Sequence, residues 1–429
     1  LATALARARA GLRDERDRAL AGEIAAGTLR WQGAFDHIIS AFAGRPIARL
    51  DAEVLEILRL TIFQLLHLTR VPASAAVDDA VSLTKKAGKR SAAPLVNAVL
   101  RRVSRERDRL PLPPRDASST EAALAYLSTT LSHPRWLAER WLARYGFDAA
   151  ERWCQFNNSP AALTLRANRL QTSPRQLADD LRQHGVETRP TRFAPDGLIV
   201  EQGNPLTTPF APTGAFVVQD EASQLVALMT RVRPGERVLD ACASPGGKTT
   251  AMAAAMGDDG LIVAADMRPR RIRLLANTVR RSGAAHIHVV QADAAASPFA
   301  ISFDCVLVDA PCSGLGTLRR DPDIKWKRQE AELALNASSQ VALLDAVSSS
   351  VRPGGRLVYS TCSSEPEENE DVVADFLTAR PEFAVDTSVE LPESVRPMID
   401  GRGFLVTLPS RDGLEAFFAA ALVKAPDLG

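Results

Sequence analysis

The chain has 429 residues, 46% hydrophobic and 24% charged, with a net charge of +1; it is too long for one ordinary core and points to two or three folded domains. No segment approaches the ~18 unbroken apolar residues of a membrane span, and the leading LATALARARAGLRDERDRAL mixes arginine and aspartate into its alanines and leucines, so neither membrane insertion nor secretion is expected. The five cysteines, Cys154, Cys242, Cys305, Cys312 and Cys362, form no C-x-x-C pair, which argues against a zinc site or disulfide framework and for a reducing, cytoplasmic location.

The first residue is Leu1 rather than methionine, so the natural start is expected further upstream. Residues 1–115 hold 20 Lys and Arg against 12 Asp and Glu, and the remainder 32 against 39. A basic front suggests a polyanionic partner.

From Asp14 to Arg109 apolar residues recur at helical spacing, as in LDAEVLEILRLTIFQLLHL, which predicts an all-α domain over 1–115. LPLPPRDASS, Leu110 to Ser119, reads as a linker. Short strand-like runs (ALTLRAN, GLIVE, GAFVVQD) then mix with the helical SPRQLADDLRQHG, which predicts a small α+β module assigned to 120–210. Over 211–429 the apolar runs RVLDA, LIVAADM, HIHVVQAD, FDCVLVDAPC and RLVYSTC alternate with helical segments, the pattern of a doubly wound, mainly parallel sheet. GFLVTLP and AFFAAALVK are expected to close the fold as a hairpin.

Polar clusters follow the apolar runs of this last domain, and in an open α/β sheet those strand ends share the ligand-binding edge. Asp240, Asp266, Asp293, Asp309, Cys312 and Cys362 are therefore expected to be neighbours. DACASPGGKTT is a strand-to-helix turn whose Gly246 and Gly247 allow backbone N–H groups to face an anionic ligand. A P-loop would need glycine at position 242, where the chain has Cys242, and no G-x-G-x-x-G occurs. Asp266, at the end of the second strand, suits ribose hydroxyls, so adenosine binding survives where pyrophosphate binding does not. Asp266 and Asp293 also suit helix N-caps. A free cysteine is by default a small buried hydrophobe; two at adjacent strand ends suit activation of an electron-poor ring by thiolate addition.

QDEASQLV, VLDACASPGGKTT, DAPCSGLGTLRRDPDIKW and YSTCSSEPEENE resemble the consecutive motifs of RNA (cytosine-5) methyltransferases that use S-adenosylmethionine, from about SHPRWLAERWLARYG to the C-terminus. RDRALAGEIAAGTLRW and VDDAVSLTKKAGKRSAAPLVNAVLRRV resemble the NusB-like domain of the RsmB/Sun type of bacterial 16S ribosomal RNA cytosine-5 methyltransferases. Ser244 stands where the family's CAAPGGKT has alanine, and SRDGLEAFF replaces the family's C-terminal H-G-T-D-G-F-F.

The resemblance implies a NusB-like all-α domain, an RRM-like α+β module and a Rossmann-like class I methyltransferase domain. It implies that the turn Cys242, Ala243, Ser244, Pro245, Gly246, Gly247 and Lys248 contacts the methionine part of S-adenosyl-L-methionine, Asp266 its ribose and Asp293 its adenine side, with Asp309 beside the methyl group. The residues by themselves leave open which thiol attacks. By resemblance Cys362 is the nucleophile and Cys312 promotes release, whereas DNA cytosine methyltransferases attack from the Pro-Cys position. Asp309 is expected to bind the base edge and Lys248 to add positive charge; Arg271 is a further cofactor candidate or a solvated helix residue.

The implied substrate is an unpaired or flipped cytosine of 16S ribosomal RNA, handled by a monomer without a metal. Transfer RNA, or DNA, is the alternative for the same chemistry, and a non-catalytic RNA-binding assembly factor the distant one. The basic runs Lys85 to Arg90 and Arg101 to Arg109 suit phosphate contacts or a solvated helix face. Arg319 to Trp326 suits flanking nucleotides, with a structural Trp326 as the other option. The carboxylates of EPEENE are expected to open the following helix rather than perform chemistry.

Overall fold

A computed structural model describes residues 2–296, 298–388 and 390–427 and divides into two compact units. The first, Leu1–Pro160 with Leu318–Glu330, contains helices and, among the described residues, no strand. Its helix Glu15–Arg30 starts at Asp14, whose carboxylate accepts a hydrogen bond from Arg16 N at 2.8 Å. The apolar faces of Gln32–Ala43, Ala52–His67, Ala73–Lys86 and Ala93–Arg105 meet in a core that includes Ile38, Ile39, Leu58, Ile62, Val96 and Leu100.

The proline-rich segment expected as a linker lays Leu110 and Leu112 against that core. Helices Thr120–Ala125, Arg135–Tyr145 and Phe147–Asn158 continue the same unit, with Trp141 and Trp153 buried and stacked at 4.8 Å. The first strand of the α+β segment, Thr164–Ala167, comes only after this helical stretch.

The second unit, Ala161–Thr317 with Ala331–Gly429, holds two sheets. The smaller comprises β1 (Thr164–Ala167), β2 (Glu187–Pro190), β3 (Gly197–Gln202) and β4 (Phe216–Val218) in the order β2-β3-β1-β4, all antiparallel. Helix Pro174–Gln183 covers it, started by Ser173 capping Gln176 N and by proline at the first turn.

The larger sheet contains β5 (Arg237–Asp240), β6 (Leu261–Asp266), β7 (Ile287–Gln291), β8 (Phe303–Asp309), β9 (Val351–Thr361), β10 (Phe383–Val385), β11 (Leu405–Thr407) and β12 (Phe417–Lys424). Its order is β10-β12-β9-β8-β5-β6-β7, with β11 paired to β12. β5 to β9 are parallel, whereas β12 runs antiparallel to β9, β10 and β11. The expected closing hairpin is β11–β12. Cys305 to Val308 are fully buried, as a central strand covered on both faces requires.

Candidate active site

The strand order turns back beside β5: β8 pairs with one edge of it and β6 with the other. A crevice for a ligand opens at such a reversal, outside the carboxyl ends of the strands. Asp240 ends β5, Asp266 ends β6 and Asp309 ends β8; Asp309 pairs in register with Ser360 of β9.

The turn after β5 is shaped by its backbone. Ala243 N donates to Ala265 O at 2.9 Å, Gly246 N donates to Ala243 O at 2.7 Å, and the Ser244–Pro245 peptide is cis. Gly246 has φ +102° as the N-cap of helix Gly247–Ala255, a left-handed conformation that calls for glycine. Asp240 is buried and accepts a hydrogen bond from Thr249 Oγ1 at 2.7 Å; burial pushes its carboxyl up to about 7. Burial likewise pushes the Cys242 thiol up to about 12, with nearby carboxylates adding to the shift.

Asp266 is 4% exposed; its Oδ1 accepts from Arg268 N at 3.1 Å, while Oδ2 accepts no hydrogen bond and has only the Arg271 Nε 3.6 Å away. Arg271 Nη2 also donates to Ser244 O at 3.3 Å, and Ser244 Oγ to Arg271 O at 3.1 Å. Arg271 therefore joins the turn to Asp266 instead of being only a solvated helix residue. An unfilled buried carboxylate oxygen beside a glycine-shaped helix start fits a ligand carrying ribose hydroxyls. Asp293 lies just beyond β7, where its Oδ1 accepts from Ala295 N at 3.0 Å; it caps the short turn Ala294–Ala296.

The two loops after β8 and β9 bring Cys312 Sγ to 3.3 Å from Cys362 Sγ. Both thiols are half-buried, whereas Cys154 and Cys305 are fully buried with their thiols pushed up to about 12 by desolvation. Cys312 is held well above the usual thiol range, first by its bond to Cys362 and then by burial. Lys248 Nζ donates to Asp309 Oδ2 at 2.6 Å, and Ser360 Oγ to Asp309 Oδ1 at 2.9 Å. Burial works against the Lys248 charge, but Asp309 together with Cys362 and Asp240 holds the ammonium above its usual pKa. Phe417 of β12 places its ring 5.7 Å from Lys248 Nζ. The expected neighbours Asp309, Cys312 and Cys362 therefore share one edge, and Lys248 joins them there through Asp309.

Two functional-looking features escape a linear reading. Glu370 and Asp371 do open the helix Glu370–Ala379, but Glu368 of the same acidic run turns inward and is fully buried. Its sequence trace is the repeated Cys-Ser dipeptide, Cys312-Ser313 and Cys362-Ser363, since both serines bond to it. Gly316 N donates to Cys362 O at 2.9 Å and Ala416 N to Gly316 O at 3.0 Å; a Cβ at Gly316 would meet Ala416 O at 1.9 Å.

The segment Arg319–Trp326 belongs to the first unit, where Trp326 takes the structural role that was its other option. Lys325 is 1% exposed and its Nζ donates to Arg30 O (3.1 Å), Ser132 O (3.2 Å) and Asn158 Oδ1 (2.7 Å), while Trp326 Nε1 donates to Leu29 O at 2.7 Å. Within the basic runs, Lys89 pairs with Asp51 at 3.2 Å and Arg102 with Glu106 at 3.2 Å, as on a solvated face. Among the described residues no cluster of His, Cys, Asp and Glu is placed to hold a metal, and no helix is long and apolar enough to cross a membrane.

Residues 227–423 match the profile of the family described as 16S rRNA methyltransferase RsmB/F, residues 1–105 the NusB family, and residues 133–207 the RsmF/B-like ferredoxin-like domain. The probable ribosomal RNA small subunit methyltransferase B of Bacillus subtilis (strain 168) is 36% identical over 416 residues, covering 96% of this chain and 91% of that protein. The ribosomal RNA small subunit methyltransferase B of Pseudomonas putida is 34% identical over 423 residues, covering 96% and 91%. Among solved structures, the crystal structure of PH0851 matches with a TM-score of 0.80 at 27% identity, over 96% of this chain and 92% of that one.

Proposed function

Because this chain belongs to the RsmB/F family of 16S rRNA methyltransferases, we propose that it methylates carbon 5 of a cytosine in 16S ribosomal RNA, using S-adenosyl-L-methionine and a transient bond from Cys362 to carbon 6. Its helical front is a NusB domain, its small sheet a ferredoxin-like module and its large sheet a Rossmann-like methyltransferase domain. The observation that carries the chemical reading is the pair of thiols 3.3 Å apart on the strand edge that also carries the Lys248–Asp309 pair.

Bound in the turn Cys242–Lys248 and along Asp266 and Asp293, the cofactor supplies an electrophilic methyl group. The unfilled Asp266 Oδ2 suits a ribose hydroxyl, and Arg271 holds Asp266 and the Ser244 carbonyl in place for it. The chain's own work is on the base. Carbon 5 of cytosine is a weak nucleophile until the ring loses aromaticity, which addition of the Cys362 sulfur to carbon 6 achieves.

Asp309, held on one oxygen by Ser360 and on the other by Lys248, accepts from the N4 amino group and fixes the base edge, while the Lys248 ammonium offsets the negative charge that thiolate addition spreads into the ring. Once carbon 5 carries the methyl group, its proton passes to solvent water and the freed pair forms the C5–C6 double bond as the carbon–sulfur bond breaks. The electron pair of that bond returns to Cys362, and Cys312 assists the step. The cytosine reaches this pocket unpaired or flipped.

The test is incubation with S-adenosyl-L-methionine and unmethylated small-subunit RNA. Cys312→Ala is expected to accumulate a covalent protein–RNA adduct and Cys362→Ala to form none. The reverse pattern overturns the thiol assignment, and methylation of transfer RNA in place of 16S RNA overturns the substrate.

A further inference from the structure

We propose that Glu368 is a positioning residue that clamps the two cysteine loops together and brings a buried negative charge beside their thiols. The inference rests on the function proposed above, since it assigns the clamp to the thiols of that reaction. Glu368 ends the turn Pro366–Glu368 and is 0% exposed.

Its carboxylate touches the residue after each thiol. Oε1 accepts from Ser313 N at 2.7 Å, and Oε2 accepts from the hydroxyls of both Ser313 and Ser363, which lie 3.3 Å from each other. The helix Glu332–Ser348 completes Oε1 with Asn336 Nδ2 at 2.9 Å and Gln340 Nε2 at 3.3 Å. Gln340 Nε2 also donates to Pro311 O at 2.9 Å, immediately before Cys312. One carboxylate thus connects both catalytic loops to a rigid helix.

The donors are neutral, so the geometry brings negative charge to the thiols as well as hydrogen bonds. Burying a carboxylate is costly unless it is well bonded, and a neutral acceptor would suffice for tethering alone. Charge of this sign disfavours a thiolate on Cys312, and Glu368 adds to the rise in that thiol's pKa caused first by its bond to Cys362 and then by burial. Tyr359 also feels Cys312, and its phenol is raised chiefly by burial. On the same edge Lys248 Nζ is held by Asp309 at 2.6 Å; burial works against its charge, and Asp309, then Cys362, favour it. Glu368 therefore biases Cys312 toward retaining its proton, while Lys248 lies on the same edge, bonded to Asp309.

The test needs neither RNA nor cofactor. Iodoacetamide alkylation of the full chain is followed at Cys312 and Cys362 by mass spectrometry as a function of pH. Glu368→Gln is expected to move the Cys312 profile to lower pH, by about one pKa unit or a ~10-fold faster reaction at pH 8. A role confined to stability would lower the melting temperature and leave that profile in place, and this outcome overturns the proposal.

Should Glu368→Gln fail to fold, the Ser313→Ala, Ser363→Ala double variant takes its place. Cutting both hydroxyl contacts is expected to raise alkylation of the two half-buried thiols several-fold, and unchanged alkylation overturns the clamp. If the intact chain fails to methylate RNA, the proposed function falls while the alkylation profile still decides the role of Glu368.

Discussion

Cys312 and Cys362 place their sulfur atoms 3.3 Å apart although 50 residues separate them in the chain. The contact follows from parallel pairing of β8 with β9, which sets Asp309 opposite Ser360 and leaves both loops on one edge. A disulfide would bring the sulfurs from 3.3 Å to ~2.05 Å. Diamide, which takes up two electrons and two protons from two thiols, is therefore expected to link them and stop methylation reversibly. Mass spectrometry should find the Cys312–Cys362 peptide pair, with activity returning on reduction; rapid, selective loss of some other pair of thiols would count against this geometry.

Asp240 should give the fold a measurable pH dependence. Its folded pKa is raised by burial to about 7, against ~3.9 for an unperturbed aspartate. The folded state therefore binds a proton that the unfolded state lacks, a contribution fully present below the unfolded value and lost as pH rises through about 7. Asp240→Asn keeps an acceptor for Thr249. Its melting temperature relative to the parent is expected to rise between pH 5 and pH 8, and a constant difference would remove Asp240 as the cause.

Gly316→Ala should injure the site through backbone packing. The added Cβ would come within 1.9 Å of Ala416 O and 2.8 Å of Cys362 O, atoms that belong to backbone and cannot rotate away. Overpacking of this kind costs about 1–3 kcal/mol, and it displaces the loop that carries Cys362. Calorimetry should show lowered stability and an adduct assay reduced attack; full retention of both would mean that the loop relaxes freely.

Lys325→Met should loosen the Leu318–Glu330 segment. Three oxygens, Arg30 O, Ser132 O and Asn158 Oδ1, lose a donor in a buried place, at about 1–3 kcal/mol for an acceptor left unsatisfied. Burial lowers the Lys325 pKa to about 7, against ~10.4 when unfolded. The parent's stability from this group is present above the unfolded value and lost as pH falls through about 7. Proteolysis within the segment should be faster in the variant, and the stability gap between parent and variant should widen from pH 6 to pH 9.

Much of the site can be read along the chain because parallel strands leave a local signature. The buried run Cys305–Val308 announces a central strand, so Asp309 and Cys312 fall at its end without reference to any distant residue. Gly246 is legible for the same reason, since its left-handed φ is a local demand. Glu368 is not: in the acidic run it resembles Glu370, and only the return of the chain to Ser313, 55 residues away, turns it into a buried acceptor. Trp326 is equally mute, because its indole partner Leu29 lies 297 residues earlier.

The sequence alone determined the candidate groups and their local settings: the thiols, the carboxylates at strand ends, the glycine turn and the period that separates helices from strands. These depend on residue chemistry and on steric limits of a few neighbouring peptides. Only the tertiary structure decided which groups meet, whether Cys312 with Cys362, Glu368 with both serines, or Lys325 with three backbone and side-chain oxygens. Those meetings come from sheet register and core packing, in which residues far apart in the chain bury their surfaces together, and no local stretch encodes the partner it will find.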